Sequence, residues 1–268
     1  MEILCNSGIP GSGKTLDSTY DAIKHFKKEN NPIKKYLIYF LSYLPGKIGD
    51  KFKIKKAYYK IFPYGLINNV YTNYPVLLDK KRKIYSQKIS IFDFYGDNSF
   101  YPNALVIFDE IQLYLDSDDY KDKNLNYRIK RIAKVLQSFR HFGGAGVIFN
   151  TQHPSRFFKK GRNVASAFVK HDKMFMIPIL KVGFIKLTYY FTLEDYGKFV
   201  PKDREARKML QFDFKKQIKF MNFRKLFKSY DSRYLSEYNY NRPLLNKGTW
   251  TSLKVEYKDL VDIYEGIY

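Results

Sequence analysis

A glycine-rich loop near the start of the chain has the residue types and spacing that bind nucleotide phosphates. Residues 8–15 read Gly-Ile-Pro-Gly-Ser-Gly-Lys-Thr and satisfy the pattern G-x-x-x-x-G-K-[ST] in full. In this motif backbone N–H groups cradle phosphate oxygens, Lys14 reaches the β- and γ-phosphates, and the Thr15 hydroxyl binds Mg²⁺. The sequence therefore predicts an ATP and Mg²⁺ site formed by Gly8, Ile9, Pro10, Gly11, Ser12, Gly13, Lys14, Thr15 and Leu16.

A second motif places two acidic residues directly after an apolar run. Ala104–Phe108 is followed by Asp109 and Glu110, which is a Walker B pattern. We expect Asp109 to hold Mg²⁺ together with Thr15, and Glu110 to orient and polarise the attacking water. A kinase has its own acceptor to activate, whereas a motor ATPase commonly places a catalytic glutamate here. The pattern therefore predicts ATP hydrolysis.

Further candidates for the reaction are an amide and three arginines. Gln152 follows the apolar residues 146–150, where its amide would sense the γ-phosphate or the water, although a polar strand end has the same appearance. Arg140, Arg156 and Arg162 are candidates to stabilise transition-state charge, within one subunit or across an interface. We assign that role to Arg140. A solvated surface arginine is the alternative for each.

The elements that must position these groups alternate between strands and helices. Residues 2–6 are predicted to form a strand, and 15–28 form a helix because apolar residues recur at helical spacing. The uninterrupted apolar runs Ala104–Phe108 and 146–150 indicate central parallel strands covered on both faces. The fold class is therefore α/β, with a mostly parallel central sheet flanked by helices.

The remaining segments give the domain boundary and the other predicted helices and strands. We divide the chain into an ATPase domain at 1–200 and a basic, aromatic C-terminal extension at 201–268. Within these domains we predict helices at 33–44, 51–62, 128–139 and 201–227. We also predict a strand at 70–76, a hairpin or edge strand at 85–94, and two or three strands within 168–191.

The charge of the chain favours a polyanionic partner. Its 268 residues include 48 Lys and Arg against 26 Asp and Glu, a formal charge of +22. Such a surplus attracts nucleic acid or an anionic membrane surface, unless the lysines reflect an AT-rich genome. Residues 202–242 carry twelve Lys and Arg against five Asp and Glu, with Phe and Tyr between them. That composition suits a single strand of nucleic acid, and a solvated basic helix is the alternative.

The cysteine count and the length of the apolar runs indicate the compartment of the protein and whether it spans a membrane. Cys5 is the one cysteine, which excludes an internal disulfide and favours a reducing, cytoplasmic compartment. The longest uncharged apolar run, 36–44, is far shorter than the roughly 20 residues that span a bilayer. We therefore expect no membrane-spanning segment. A buried helix is the first interpretation of that run, and an interfacial helix is the second.

The order of the motifs resembles the Zot-like family, the filamentous-phage assembly ATPases related to zonula occludens toxin. The phosphate loop begins a few residues from the N-terminus, and the Walker B run continues as Asp-Glu-Ile-Gln where the family has Asp-Glu-Ala-Gln. Arg140, His141 and Gly143 come next, and then a strand ending in Thr-Gln-His-Pro at 151–154. Residues 227–232 resemble a Tyr-x-Ser element that follows the family's core. The resemblance covers roughly residues 1–235.

The resemblance implies a RecA-like P-loop NTPase fold within the FtsK–HerA group of DNA-pumping ATPases. It implies a homo-oligomer such as a hexameric ring, in which an arginine of one subunit completes its neighbour's site. The implied function is ATP-driven export or translocation of single-stranded phage DNA, with phage coat or membrane assembly proteins as partners. The implied location is the host cytoplasm or the cytoplasmic face of the inner membrane. Family members usually continue into a membrane-spanning helix and an outer domain, and we expect neither in this chain.

Three alternatives remain beside an extrusion motor. A virion DNA-packaging ATPase of the FtsK–HerA type uses the same chemistry. A small phosphotransferase fits less well, because Glu110 and the Thr-Gln strand end are out of place in one. A non-catalytic assembly scaffold switched by nucleotide is the third, against which the intact Lys14, Thr15, Asp109 and Glu110 count.

Overall fold

The computed structural model describes residues 2–29, 67, 69–89, 103–113, 123–139, 144–201, 203, 207 and 209–230 of the chain. The strands are β1 Glu2–Ser7, β2 Asn69–Thr72, β3 Leu77–Asp79, β4 Ile84–Tyr85, β5 Gln87–Lys88, β6 Ala104–Phe108, β7 Gly144–Thr151, β8 Ala167–Ile177, β9 Val182–Tyr190 and β10 Phe214–Asn222. The helices are α1 Lys14–Glu29, α2 Lys123–Ser138, α3 Lys159–Arg162 and α4 Phe223–Phe227, with 3-10 turns at Ile111–Leu113 and Pro154–Arg156.

Most of the described strands join one mixed sheet in the order β10-β9-β8-β1-β7-β6-β2-β5. Strands β8, β1, β7, β6, β2 and β5 pair in parallel. Strands β9 and β10 complete the sheet by antiparallel pairing. The phosphate-loop strand β1 lies in the middle, and β7 separates it from β6. The predicted α/β class with a mostly parallel sheet is confirmed.

Helices cover the sheet on both faces, because its central strands are apolar on both faces. All five side chains of β6 are buried. On one face α1 contributes Leu16, Ala22 and Phe26 to a core cluster with Leu105 and Ile107. On the other face α2 contributes Ile132, Ala133 and Leu136 to a cluster with Val106 and Phe108. Strands of this kind run parallel and lie between two helical layers.

The predicted helix at 201–227 is wrong over its second half. Phe214–Asn222 is a strand paired antiparallel with β9, and only Phe223–Phe227 is helical. In this strand Ile218 and Phe220 are exposed on one face, whereas Lys219 and Met221 are covered on the other. That alternation has the period of a strand. The described part of the predicted extension therefore joins the main sheet, and the boundary at 200/201 stays a prediction.

The other predicted elements differ mainly at their ends. The helix at 15–28 is confirmed as Lys14–Glu29, and the helix at 128–139 begins earlier, as Lys123–Ser138. The strand at 70–76 is shorter, as Asn69–Thr72, while β4 and β5 occupy the first part of 85–94. The helices at 33–44 and 51–62 lie outside the described residues. Within the described ranges, no helix combines the length and apolarity needed to cross a membrane.

Candidate nucleotide-binding site

The glycine-rich loop connects β1 to α1 at the carboxyl edge of the parallel strands. The N–H of Gly8 donates to the carbonyl of Gln152 at 3.2 Å, which ties the start of the loop to the end of β7. Gly11 and Gly13 have φ angles of 79° and 92°, which side chains rarely tolerate. A Cβ on Gly13 would also lie 2.9 Å from Cδ1 of Ile185. The loop therefore requires glycine for both backbone conformation and packing.

Lys14 is a buried cation at the first position of α1. Its Nζ donates to the carbonyl of Gly8 at 2.8 Å and to that of Ile9 at 3.3 Å, and the residue is 5% exposed. Burial lowers the pKa of Lys14, while the Glu110 and Asp109 carboxylates act in the opposite direction. An ammonium held against the loop is placed to neutralise phosphate charge, and the helix N-terminus supports the same anion.

Thr15 and Asp109 meet although they are far apart in sequence. The Thr15 hydroxyl donates to the Asp109 carboxylate, with Oγ1 at 3.0 and 2.9 Å from its two oxygens. Burial raises the pKa of Asp109 to about 6, and the neighbouring Glu110 charge adds to the rise, against opposing hydrogen bonds from Asn150 and Thr15. A hydroxyl and a carboxylate are the oxygen ligands that Mg²⁺ takes beside nucleotide phosphates. These two residues therefore fit a magnesium site.

Asn73 and Asn150 hold Asp109 in place, Asn6 in turn bonds to Asn150, and none of the three was a candidate from the sequence. The Asp109 N–H donates to Asn73 Oδ1 at 2.8 Å, and Asn73 Nδ2 donates back to the Asp109 carbonyl at 2.9 Å. Asn150 Nδ2 donates to Asp109 Oδ1 at 2.8 Å. Its own Oδ1 accepts from Asn6 Nδ2 at 3.1 Å and from the Ser18 hydroxyl at 2.8 Å. Strands β1, β6 and β7 and helix α1 are thus joined by buried hydrogen bonds directly behind the site.

Glu110 lies at the end of β6 in an uncommon backbone conformation. Its φ is 48°, in the left-handed region that few residues other than glycine adopt. Its Oε2 accepts a short hydrogen bond from Gln112 Nε2 in the adjoining 3-10 turn. Backbone strain of this kind concentrates at functional sites, where surrounding structure holds it. Glu110 is next to Asp109 and half-buried, and its role in orienting water stays a prediction.

For the other predicted site residues, the described structure gives no side-chain hydrogen bond to Lys14, Thr15, Asp109 or Glu110. Gln152 is exposed at the same edge of the sheet, and its predicted role stays a prediction. Arg156 is exposed, and Arg162 donates from Nη1 to the Ser155 carbonyl at 3.0 Å. Arg140 lies outside the described residues. The Leu16 side chain is buried in the core, so that this residue can offer a nucleotide only its backbone.

A buried charge cluster joins the first turns of α1, the helix that follows the loop, to β8 and β10. Lys219 of β10 donates from Nζ to Asp17 Oδ1 and to Asp21 Oδ2, both at 2.8 Å. The ring of His171 on β8 lies 3.2 Å from the other oxygen of Asp17. Burial by itself would raise the pKa of Asp17, but Lys219 and His171 outweigh it and lower that pKa to about 2. A Cβ on Gly8 would lie 3.2 Å from the His171 carbonyl, so the backbone of β8 at this cluster is close to the start of the phosphate loop.

Comparisons with known proteins identify one matching family and several similar solved structures. The family model of zonular occludens toxin (Zot) matches residues 2–204. No protein with a curated description matches the chain. The N-terminal domain of zonular occludens toxin from Neisseria meningitidis is similar over 86% of this chain and 98% of that one, with 17% identity and a TM-score of 0.40. The genome packaging NTPase B204 of Sulfolobus turreted icosahedral virus 2, with ATP-gammaS, is similar over 63% of this chain and 74% of that one, with 16% identity and a TM-score of 0.33.

Proposed function

The chain belongs to the zonular occludens toxin (Zot) family, and on that basis we propose that it is an ATP-hydrolysing motor of phage assembly that moves single-stranded DNA. The proposal rests on the meeting of Thr15 with Asp109 at 2.9 Å, together with the adjoining residues Lys14 and Glu110. These four residues, at one edge of the sheet, are the ones to which we assign the phosphate, Mg²⁺ and water contacts of hydrolysis.

We assign each of these residues a role in hydrolysis from its position. Lys14 neutralises charge on the β- and γ-phosphates, and the loop N–H groups hold their oxygens. Thr15 and Asp109 would hold Mg²⁺, which supplies charge neutralisation on the phosphates when bound. Glu110 accepts a hydrogen bond from the attacking water and orients it. The Asn150 amide fixes the Asp109 carboxylate by a 2.8 Å hydrogen bond.

The assembled form that we propose is a homo-oligomeric ring on the cytoplasmic side of the host membrane. In such a ring an arginine from a neighbouring subunit would stabilise the transition state, and Arg140 is our candidate for it. The exposed Arg156 is the second candidate. Single-stranded phage DNA is the proposed object of transport, since the formal charge of +22 attracts a polyanion.

The test is steady-state ATP hydrolysis by the full chain, with and without single-stranded DNA. Lys14→Ala should abolish nucleotide binding and hydrolysis. Glu110→Gln should keep nucleotide binding and lose turnover by about 10²–10⁴-fold, the usual contribution of a general base. Lys134→Ala and Glu194→Gln are matched controls, because both side chains are exposed outside the site.

The outcomes separate the candidate functions. Stimulation by single-stranded DNA supports the extrusion motor, whereas stimulation by duplex DNA alone indicates a packaging ATPase. Tight ATP binding with no turnover under any condition contradicts the motor and leaves a scaffold switched by nucleotide. Full turnover in Glu110→Gln would show that another group orients the water.

A further inference from the structure

The hairpin of β8 and β9 extends well past the phosphate-loop strand beside it. Pairing of β1 with β8 ends at Ser7 and Lys170, but β8 continues to Ile177. At about 3.3 Å per residue, the hairpin projects about 20 Å beyond the end of β1. Strand β10 accompanies β9 to the end of the hairpin, where Asn222 is opposite Val182. The molecule therefore carries a three-stranded antiparallel projection on the nucleotide side of the sheet.

The far end of this projection is unusually apolar for an exposed surface. In its turn Ile179 is 93% exposed and Leu180 is 62% exposed. Behind the turn, the Phe184 ring lies 5.4 Å from that of Phe175 and 6.0 Å from that of Phe220, forming one row across the three strands. We define the apolar tip as the exposed residues Phe175, Ile177, Ile179, Leu180 and Phe220. A contiguous patch of this kind on a globular protein marks an interaction site.

The chain segments around the apolar tip are basic and contain no acidic residue. Residues 173–187 contain three Lys, and 214–230 contain five Lys and Arg besides the paired Lys219, with no Asp or Glu in either range. Lys181 lies in the turn itself, and its carbonyl accepts from the N–H of Arg224 at 3.2 Å. This contact brings the basic helix α4 beside the turn. Lys186 lies over the Phe184 ring at 5.6 Å. This positive charge favours a negatively charged partner.

We propose that the apolar tip docks on an anionic lipid bilayer, with Ile179 and Leu180 entering the boundary between headgroups and acyl chains. Aliphatic side chains have no ring on which a nucleobase stacks, yet they occupy the point that projects furthest. A bilayer accepts both aliphatic and aromatic side chains, and its anionic headgroups attract the lysines and arginines around them. The proposal is independent of the nucleotide chemistry, since none of the tip residues belongs to the phosphate site.

The first experiment is co-sedimentation of the full chain with vesicles of phosphatidylethanolamine and phosphatidylglycerol, and with vesicles of phosphatidylcholine. The paired substitution Ile179→Asp and Leu180→Asp should lower the lipid partition coefficient at least about tenfold, because two exposed side chains lose their transfer into the bilayer. The control is the pair Phe199→Asp and Met209→Asp. These residues are 80% and 83% exposed. They lie in the segment between β9 and β10, at the end of this strand pair away from the apolar tip.

The control pair should bind the anionic vesicles like the unaltered chain, and both pairs should keep the unaltered rate of ATP hydrolysis. A second experiment measures insertion directly. With Trp250, the one tryptophan of the chain, replaced by Phe, a Leu180→Trp variant should be quenched by lipids brominated on their acyl chains.

Three results would overturn the proposal. Equal vesicle binding by both paired variants would show that the tip does not enter the bilayer. Loss of oligonucleotide binding in the tip variant, with vesicle binding intact, would assign the surface to nucleic acid. Loss of self-association in that variant, again with vesicle binding intact, would assign it to a second copy of the chain.

Discussion

Replacing Asp109 with Asn should stabilise the protein while removing its magnesium-dependent chemistry. The carboxylate is buried, accepts from Asn150 and Thr15, and has a pKa of about 6 in the folded chain. Asparagine has nearly the same shape. Its oxygen accepts from Asn150, and its amide nitrogen donates to the Thr15 hydroxyl, so both hydrogen bonds have a replacement. The main change is therefore the loss of a buried negative charge.

The size of the effect follows from proton linkage. The folded chain binds a proton on Asp109 up to about pH 6, whereas the unfolded chain releases it near 3.8. A group whose folded pKa is raised contributes stability at low pH that is lost as the pH rises through that pKa. At 1.36 kcal/mol per pKa unit, the raised pKa of Asp109 costs the fold about 2 kcal/mol at pH 5, where the carboxylate must take up a proton on folding, and about 3 kcal/mol at pH 8, where it stays ionised. Asp109→Asn avoids that cost.

The assay is thermal unfolding of both proteins at pH 5 and pH 8, without nucleotide. We expect Asp109→Asn to unfold at a higher temperature at both pH values, and its gain in unfolding free energy to be about 1 kcal/mol larger at pH 8 than at pH 5. Mg²⁺ with ATP should then stabilise the unaltered chain and not the variant. Asp213→Asn, at an exposed position, serves as the control and should change stability by less than about 0.5 kcal/mol at either pH. A variant that is less stable than the unaltered chain by the same amount at both pH values would refute the reasoning.

Two further predictions concern the support of the phosphate loop. Lys219→Met removes the lysine that pairs with the buried carboxylates of α1, and should cost about 3–5 kcal/mol of unfolding free energy, measured by denaturant unfolding. The control is Lys215→Met, at an exposed position of the same strand, which should cost less than about 1 kcal/mol. Equal losses in the two variants would contradict a stabilising role of the buried cluster. Gly13→Ala should lower both stability and ATP affinity, because it combines a φ of 92° with a Cβ 2.9 Å from Ile185 Cδ1. Gly197→Ala, with a φ of 81° and open space around it, carries the backbone strain alone. Gly13→Ala should therefore lose more unfolding free energy and more ATP affinity than Gly197→Ala, measured by denaturant unfolding and nucleotide titration. Identical losses would show that the contact with Ile185 is relieved without cost.

The phosphate loop and the acidic strand end were predictable from sequence because each is encoded locally. Residues 8–15 specify a turn by their glycines, and the apolar spacing of residues 16–26 specifies the helix after it. The run Ala104–Phe108 indicates a buried parallel strand by composition alone, and Asp109 then has to lie at its carboxyl end. Because parallel strands end at one edge of a sheet, the meeting of Asp109 with the loop is a direct consequence of the two motifs.

The asparagines behind the site and the strand nature of Phe214–Asn222 were not predictable in the same way. Asn6 and Asn150 are separated by 144 positions, and only the pairing of β1 with β7 brings their side chains within 3.1 Å. In Phe214–Asn222, lysines and apolar residues are mixed closely enough to resemble a basic helix. Pairing with β9 decides in favour of the strand, and strand formation depends on such neighbours more than on local preference.

The nucleotide-binding motifs can thus be inferred from the sequence alone. Each motif is a contiguous segment, and the local backbone next to it determines where its glycines and acidic residues lie. The groups that hold this chemistry in place depend on the tertiary fold. Asp17 and Lys219 are 202 positions apart, and in sequence each is indistinguishable from a solvated surface charge. They become a buried ion pair because β10, the edge strand of the described sheet, places Lys219 against the first turn of α1. Burial, which depends on the whole fold, is what turns these ordinary charges into the support of the phosphate loop.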